Sequence, residues 1–226
     1  MSKDNKKIED NPIQESTRTQ LSKLDEHRTK LIDTKISRNK TFAIVSGAVA
    51  AMSATTVIGN LFTQNYQVSA QNTGTLIAMI AYSIGNYLMY KKATEEKAIV
   101  LSNPEEEINM INLLKNKLEL LKNKLEYNKI QRATMATAGA GFLTSFAASF
   151  FMQASDLSSV NTLAIIGSAM AGAVGVGAVS LAKKQKSMIG FYAQEIADTE
   201  RDLAKEEKKL KPTEEVVEQP VQKTLK

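Results

Sequence analysis

The amino-acid sequence predicts an all-α membrane protein: four transmembrane helices as two tandem hairpins, with long helices extending into a cytoplasmic coiled-coil-like bundle. Three observations carry this prediction. Fifty residues from Thr41 to Tyr90 contain no Asp, Glu, Lys or Arg, and fifty more from Ala133 to Ala182 contain only Asp156. All 29 Lys and Arg therefore fall in three blocks, at 1–40, 91–132 and 183–226. Those blocks carry Leu and Ile at three- and four-residue spacings, the pattern of one helix face. A helix with a face in water needs polar residues every few positions, so soluble folds with 23% charged residues rarely leave such gaps. The rival reading is a soluble, Ala-rich bundle of buried hairpins.

The elements follow in chain order. Residues 1–10 are expected to be a disordered tail and 11–40 a cytoplasmic helix, opened by "DNPIQE" and carrying Leu21, Leu24 and Leu31 on one seam, with Arg28 and Lys35 at intervening seam positions. The first transmembrane hairpin, 41–92, holds spans at Phe42–Phe62 and Gly74–Tyr90 around the polar connector "TQNYQVSAQNT". This apolar start at residue 41 lies too late for a cleavable signal peptide, so the first span would act as an uncleaved anchor. Residues 93–132 form a cytoplasmic helical segment. Its "SNPEEE" is a strong start signal: a capping residue, Pro104 in the first turn, and three glutamates against the positive helix end. Behind it Ile111, Leu114, Leu118, Leu121 and Leu125 form a heptad seam.

The second hairpin, 133–182, repeats the plan with spans at Ala133–Met152 and Thr162–Ala182 around "QASDLSSVN". A cytoplasmic helix at 183–210 places Ile189, Ile196, Leu203 and Leu210 seven apart, and 211–226 reads as a second disordered tail. The spans, about 17 to 21 residues each, match a hydrocarbon core of about 30 Å. Basic residues flank the outer ends of all four, and neither connector contains Lys or Arg. The positive-inside rule then puts both termini and the central helical segment in the cytoplasm and both connectors opposite.

The last span contains only seven Leu, Ile, Val or Phe residues, so it should prefer helical neighbours to bare lipid. Small residues four apart supply the means: Gly47 with Ala51, Gly167 with Ala171, Ala171 with Gly175, and Ala173 with Gly177. Asn60 and Asn86 are expected to add hydrogen bonds between helices, and Tyr82, Tyr87 and Tyr90 to anchor the chain at the membrane interface. At an offset of 94 residues, Lys23, Leu24, Lys30, Leu31, Lys35, Ile36, Arg38 and Gly47 match Lys117, Leu118, Lys124, Leu125, Lys129, Ile130, Arg132 and Gly141. This suggests tandem duplication, with Gly141 the second copy of Gly47.

Chemistry is sparse. There is no Cys, and the one histidine, His27, lies among charges in "LDEHRTK". No zinc or phosphate-loop pattern occurs. The glycines of "GSAMAGAVGVGA" follow no strand and suit packing better than a dinucleotide. No enzyme, cofactor or metal site is expected, and no nucleic-acid partner either, because acids nearly balance the bases in every block. The expected partners are membrane lipid, further copies of the chain, or proteins met through the cytoplasmic helices. The expected function is a scaffold or interaction protein, with an oligomeric pore or permeation-altering protein as the alternative. Near the C-terminus, "EEVVE" (Glu214–Glu218) is similar to the glutamate-rich C-terminal signal of type IV-secreted bacterial effectors. That resemblance, confined to five residues, implies export into a host cell and insertion into a host membrane.

Overall fold

The computed structural model describes residues 12–102, 109–155 and 162–210. Within them the chain is all-helical, without strands: α1 (Pro12–Phe62), α2 (Tyr66–Leu101), α3 (Met110–Ser155) and α4 (Thr162–Leu210). At 1.5 Å per residue, these helices run from about 55 to about 75 Å. Each carries a charge-free zone and a charged arm without a break, and Gly190 does not interrupt α4. The segments 1–11, 103–108, 156–161 and 211–226 lie outside the described residues, and with them Asp156, most of "SNPEEE" and the whole of "EEVVE".

Neighbours in sequence are neighbours in space. α1 packs on α2, α2 on α3 and α3 on α4, and no other pair of helix backbones comes close among the described residues. The result is an antiparallel row, with α1 and α4 as its two edges. Register holds over the full length of each pair. On α3 and α4, Lys115 pairs with Glu207 and Lys122 with Glu200, while Gly139 lies against Gly175 and Val179. The charged arms of α1 and α4, expected in one bundle, stand at opposite edges.

The first hairpin turn is tighter than its polar composition suggests. Only Thr63–Asn65 lies outside helix, so most of the expected connector forms the first turns of α2. The physical cause is a double cap. Gln64 takes the left-handed conformation at φ 58, its N–H bonds Leu61 O at 3.1 Å, and Asn65 N–H reaches back to Asn60 O at 2.8 Å. These are the two bonds of a Schellman motif, which ends α1. Asn65 then serves as the N-cap of α2, accepting from the Val68 N–H at 3.4 Å.

Two of the four helices, α1 and α4, hold segments long and apolar enough to cross a membrane. Little of their most apolar stretches is covered by the rest of the chain: 11% on α1 and 28% on α4. A core helix of a soluble bundle would be mostly buried.

Candidate functional site: small-residue contacts, a charged belt and an apolar groove

Through the charge-free zones, the helices touch by small or hydroxylated residues. A Cβ on Gly74 of α2 would lie 2.6 Å from the Gly141 carbonyl oxygen of α3, and one on Gly141 would lie 2.6 Å from Gly74 O. One on Gly47 would meet Ser83 Oγ at 3.0 Å, and one on Gly85 would strike the Thr134 side chain. Hydroxyls join neighbouring helices: Ser83 Oγ donates to Ala43 O at 2.9 Å, and Ser145 Oγ to Gln71 O at 2.7 Å. Many large apolar side chains point the other way. Phe42, Ile44, Met52, Ile58, Ile84, Phe151, Met170 and Val176 are all more than half exposed.

The small residues singled out by spacing divide. Gly47 and Gly141 sit in close contacts, and Gly175 lies against Gly139 and Leu143, with Ala171 half-buried on the same helix. Ala51, Gly167 and Gly177 do not sit between helices: Ala51 is exposed, and a Cβ on either glycine would meet nothing within 4 Å. The reason is rotational. The buried row of α4 runs through Ser168, Gly172, Gly175, Ala178 and Ala182, so Gly167 and Gly177 are turned by about 100° or more from it. On α1, Ala50 is buried in place of Ala51. Gly47 faces its hairpin partner α2, whereas Gly141 also faces α2 rather than α4, so the two matched glycines do not occupy equivalent places.

Along the charged arms, Leu121 is buried, and Ile111, Leu114, Leu118, Leu125, Ile196 and Leu203 are half-buried. The Leu210 side chain lies outside the described residues. On α1 the seam is displaced by one residue: Leu31 is 58% exposed, while Ile32 is buried in a row continued by Asn39 and Ser46. Asn86 bonds its own helix, Nδ2 donating to Tyr82 O at 2.7 Å, instead of a neighbour. Tyr82 also departs from its expected place at the interface. Its ring faces Phe142 of α3 at 6.2 Å, and its hydroxyl lies 3.8 Å from Met135 Sδ. Tyr87 and Tyr90 stack near the boundary, with Lys91 Nζ 5.1 Å above the Tyr87 ring. His27 is exposed on α1.

Where charges begin, three helices are tied together by residues that spacing did not reveal. Lys35 Nζ of α1 binds Glu96 of α2 at 2.7 Å and lies 3.8 Å above the Tyr127 ring of α3. One turn nearer the charge-free zone, Asn39 Nδ2 donates to the Tyr127 hydroxyl at 3.1 Å, in a buried contact. Lys97 binds Asp33 at 2.7 Å. Lys92 joins Glu126 across α2 and α3, and Glu95 on its own helix. The hydrogen bond to Glu126, then that to Glu95, pushes the Lys92 ammonium above the ordinary lysine range.

Beside this belt a groove of about 530 Å³ opens between α1 and α3, with α2 as its floor. Phe42, Val45 and Val49 form one wall, Met79, Tyr82 and Met89 the floor, and Gln131 and Met135 the far wall. Arg38 stands at the charged end. Among the described residues, no group of three or more His, Asp or Glu is placed to hold a metal ion. The chain matches no protein-family model, and no curated protein or solved structure matches it.

Proposed function

We propose that the chain is a multi-pass membrane protein with four spans in two hairpins, and that it acts as a scaffold or interaction protein. Its charged arms and termini lie on the cytoplasmic side, where they meet further copies of the chain or other proteins. The observation that carries this reading is the inverted distribution of side chains: Gly, Ala and Ser between helices, Phe, Ile, Met and Val facing outward. In water that arrangement would leave a large apolar area exposed, a feature of binding or membrane surfaces. In lipid it is the favourable one, because association there depends on close backbone approach and hydrogen bonds.

The scaffold role draws on the shape of the row. Among the described residues, the backbones of the edge helices α1 and α4 each pack on only one other helix, and the exposed faces of their arms are free to meet others. Most hydroxyls buried in the charge-free zones bond carbonyls of their own or the adjacent helix, leaving little polar lining for an ion path. Chemical crosslinking in native membranes is expected to trap dimers, higher oligomers or complexes joined through the charged arms. A chain recovered only as a monomer without partners would refute the scaffold role.

A further inference from the structure

We infer that the groove between α1, α2 and α3 holds one acyl chain of an anionic phospholipid, with Arg38 on its phosphate. This assignment rests on the membrane reading above and names the lipid class that the surface selects. Length is the first argument. The lining on α1 runs from Arg38 to Val49, and on α2 from Met89 to Met79. These stretches of ten and eleven residue steps span about 15 to 17 Å, half of a hydrocarbon core of about 30 Å. The groove is therefore one leaflet deep, too short for a helix of a second copy crossing the membrane.

Charge is the second argument. Lys35, one turn from Arg38, is already paired with Glu96, and Lys92 with Glu95 and Glu126. Arg38 has no carboxylate within ion-pair distance among the described residues, and a guanidinium presents a fork of donors matched to phosphate. Polarity then falls with depth in the order a phospholipid requires. The Lys92–Glu126 and Gly85–Thr134 contacts set Gln131 level with Tyr87 or Leu88, about 6 to 8 Å deeper than Lys92. At that depth the Gln131 amide, which bonds no other described residue, faces the ester region. Below it lie Val45, Val49, Met79 and Met135. The polar groups on this path donate within the chain, Ser46 Oγ to Phe42 O, Asn86 Nδ2 to Tyr82 O and the Tyr82 hydroxyl to Met135 Sδ, so an alkyl chain can cover these donors.

Native mass spectrometry of the full chain tests the assignment, with the protein released from micelles containing equal amounts of phosphatidylglycerol and phosphatidylcholine. The unchanged chain should retain one phosphatidylglycerol in about fivefold preference, the worth of one basic contact to an anionic lipid. Arg38→Gln should bring the ratio near one, while Lys183→Gln, a cation on the far edge helix, should leave it unchanged. Val45→Trp, or Val49→Phe should that variant not fold, should lose both lipids by filling the groove. Excess inorganic phosphate should displace nothing. Equal retention by the unchanged chain, a preference that survives Arg38→Gln, or displacement by phosphate alone would overturn the assignment. A chain that requires detergent yet retains neither lipid overturns the groove alone; a chain soluble without detergent overturns the membrane reading beneath it.

Discussion

Gly141→Val is expected to force α2 and α3 apart and to lower the thermal unfolding midpoint of the detergent-solubilised chain by about 5 °C or more. The position leaves no room for relaxation. A Cβ there would stand 2.6 Å from Gly74 O and 2.9 Å from Ala78 N, both backbone atoms of α2, so no side-chain rotation relieves the clash. Overpacking of this kind costs about 1 to 3 kcal/mol. It would fall on the pair that also carries the Ser145–Gln71 and Thr75–Ser145 hydrogen bonds. Gly177→Val is the matched comparison, because a Cβ on Gly177 meets nothing within 4 Å. It should leave the midpoint within a degree or two, as exposed substitutions do. Equal effects of the two variants would mean that the α2–α3 contact is not where the row is held together.

The second large effect is expected at the charged belt. Lys35→Met strands the Glu96 carboxylate, which is buried to 7% exposure and has Lys35 as its ion-pair partner. Breaking a buried pair from one side costs about 3 to 5 kcal/mol, and the partial exposure of Lys35 places this case near about 3 kcal/mol. The same change removes the ammonium from above the Tyr127 ring, loosening the tie between α1 and α3. Lys35→Met with Glu96→Leu should restore most of the loss, since an apolar pair of similar volume leaves no buried charge. Denaturation midpoints of the two single variants and the double variant form the cycle that checks this. Additive losses would show that the ion pair is not the coupled unit described here.

The helical class was legible because absent charge is a strong signal: two fifty-residue gaps admit few alternatives, and heptad spacing continues beyond them. Boundaries were less legible. Polar residues from Gln67 to Thr73 suggest a loop, yet the caps at Gln64 and Asn65 admit them into α2. Spacing alone shows that Gly167, Ala171 and Gly175 share one side of a helix, but the neighbour's position decides which of them is covered. Gly74 and Gly85 make very tight contacts and do carry the same spacing, with Ala70 and Ala78 four residues from Gly74 and Ala81 four residues from Gly85, so spacing would have marked them too. The Asn39–Tyr127 and Lys35–Glu96 contacts join residues 88 and 61 positions apart. Nothing local in the sequence pairs such residues. On α1 the spacing of Leu21, Leu24 and Leu31 places the seam one residue away from the covered row of Ile32, Asn39 and Ser46, whose two polar members hide it from an apolar pattern.

The central claim is that the charge-free zones lie side by side in a bilayer, with every charged arm on one side. Cysteine accessibility tests it most directly, on a chain without native cysteines. Single cysteines at Gln64, in the turn between α1 and α2, and at Ser158, between α3 and α4, would be labelled in sealed vesicles with a membrane-impermeant maleimide. Cysteines at Lys117 and Lys205, exposed on the arms of α3 and α4, would be labelled in parallel. The account predicts that Gln64 and Ser158 react from one side and Lys117 and Lys205 only from the other. Reaction of all four from the same side would contradict it.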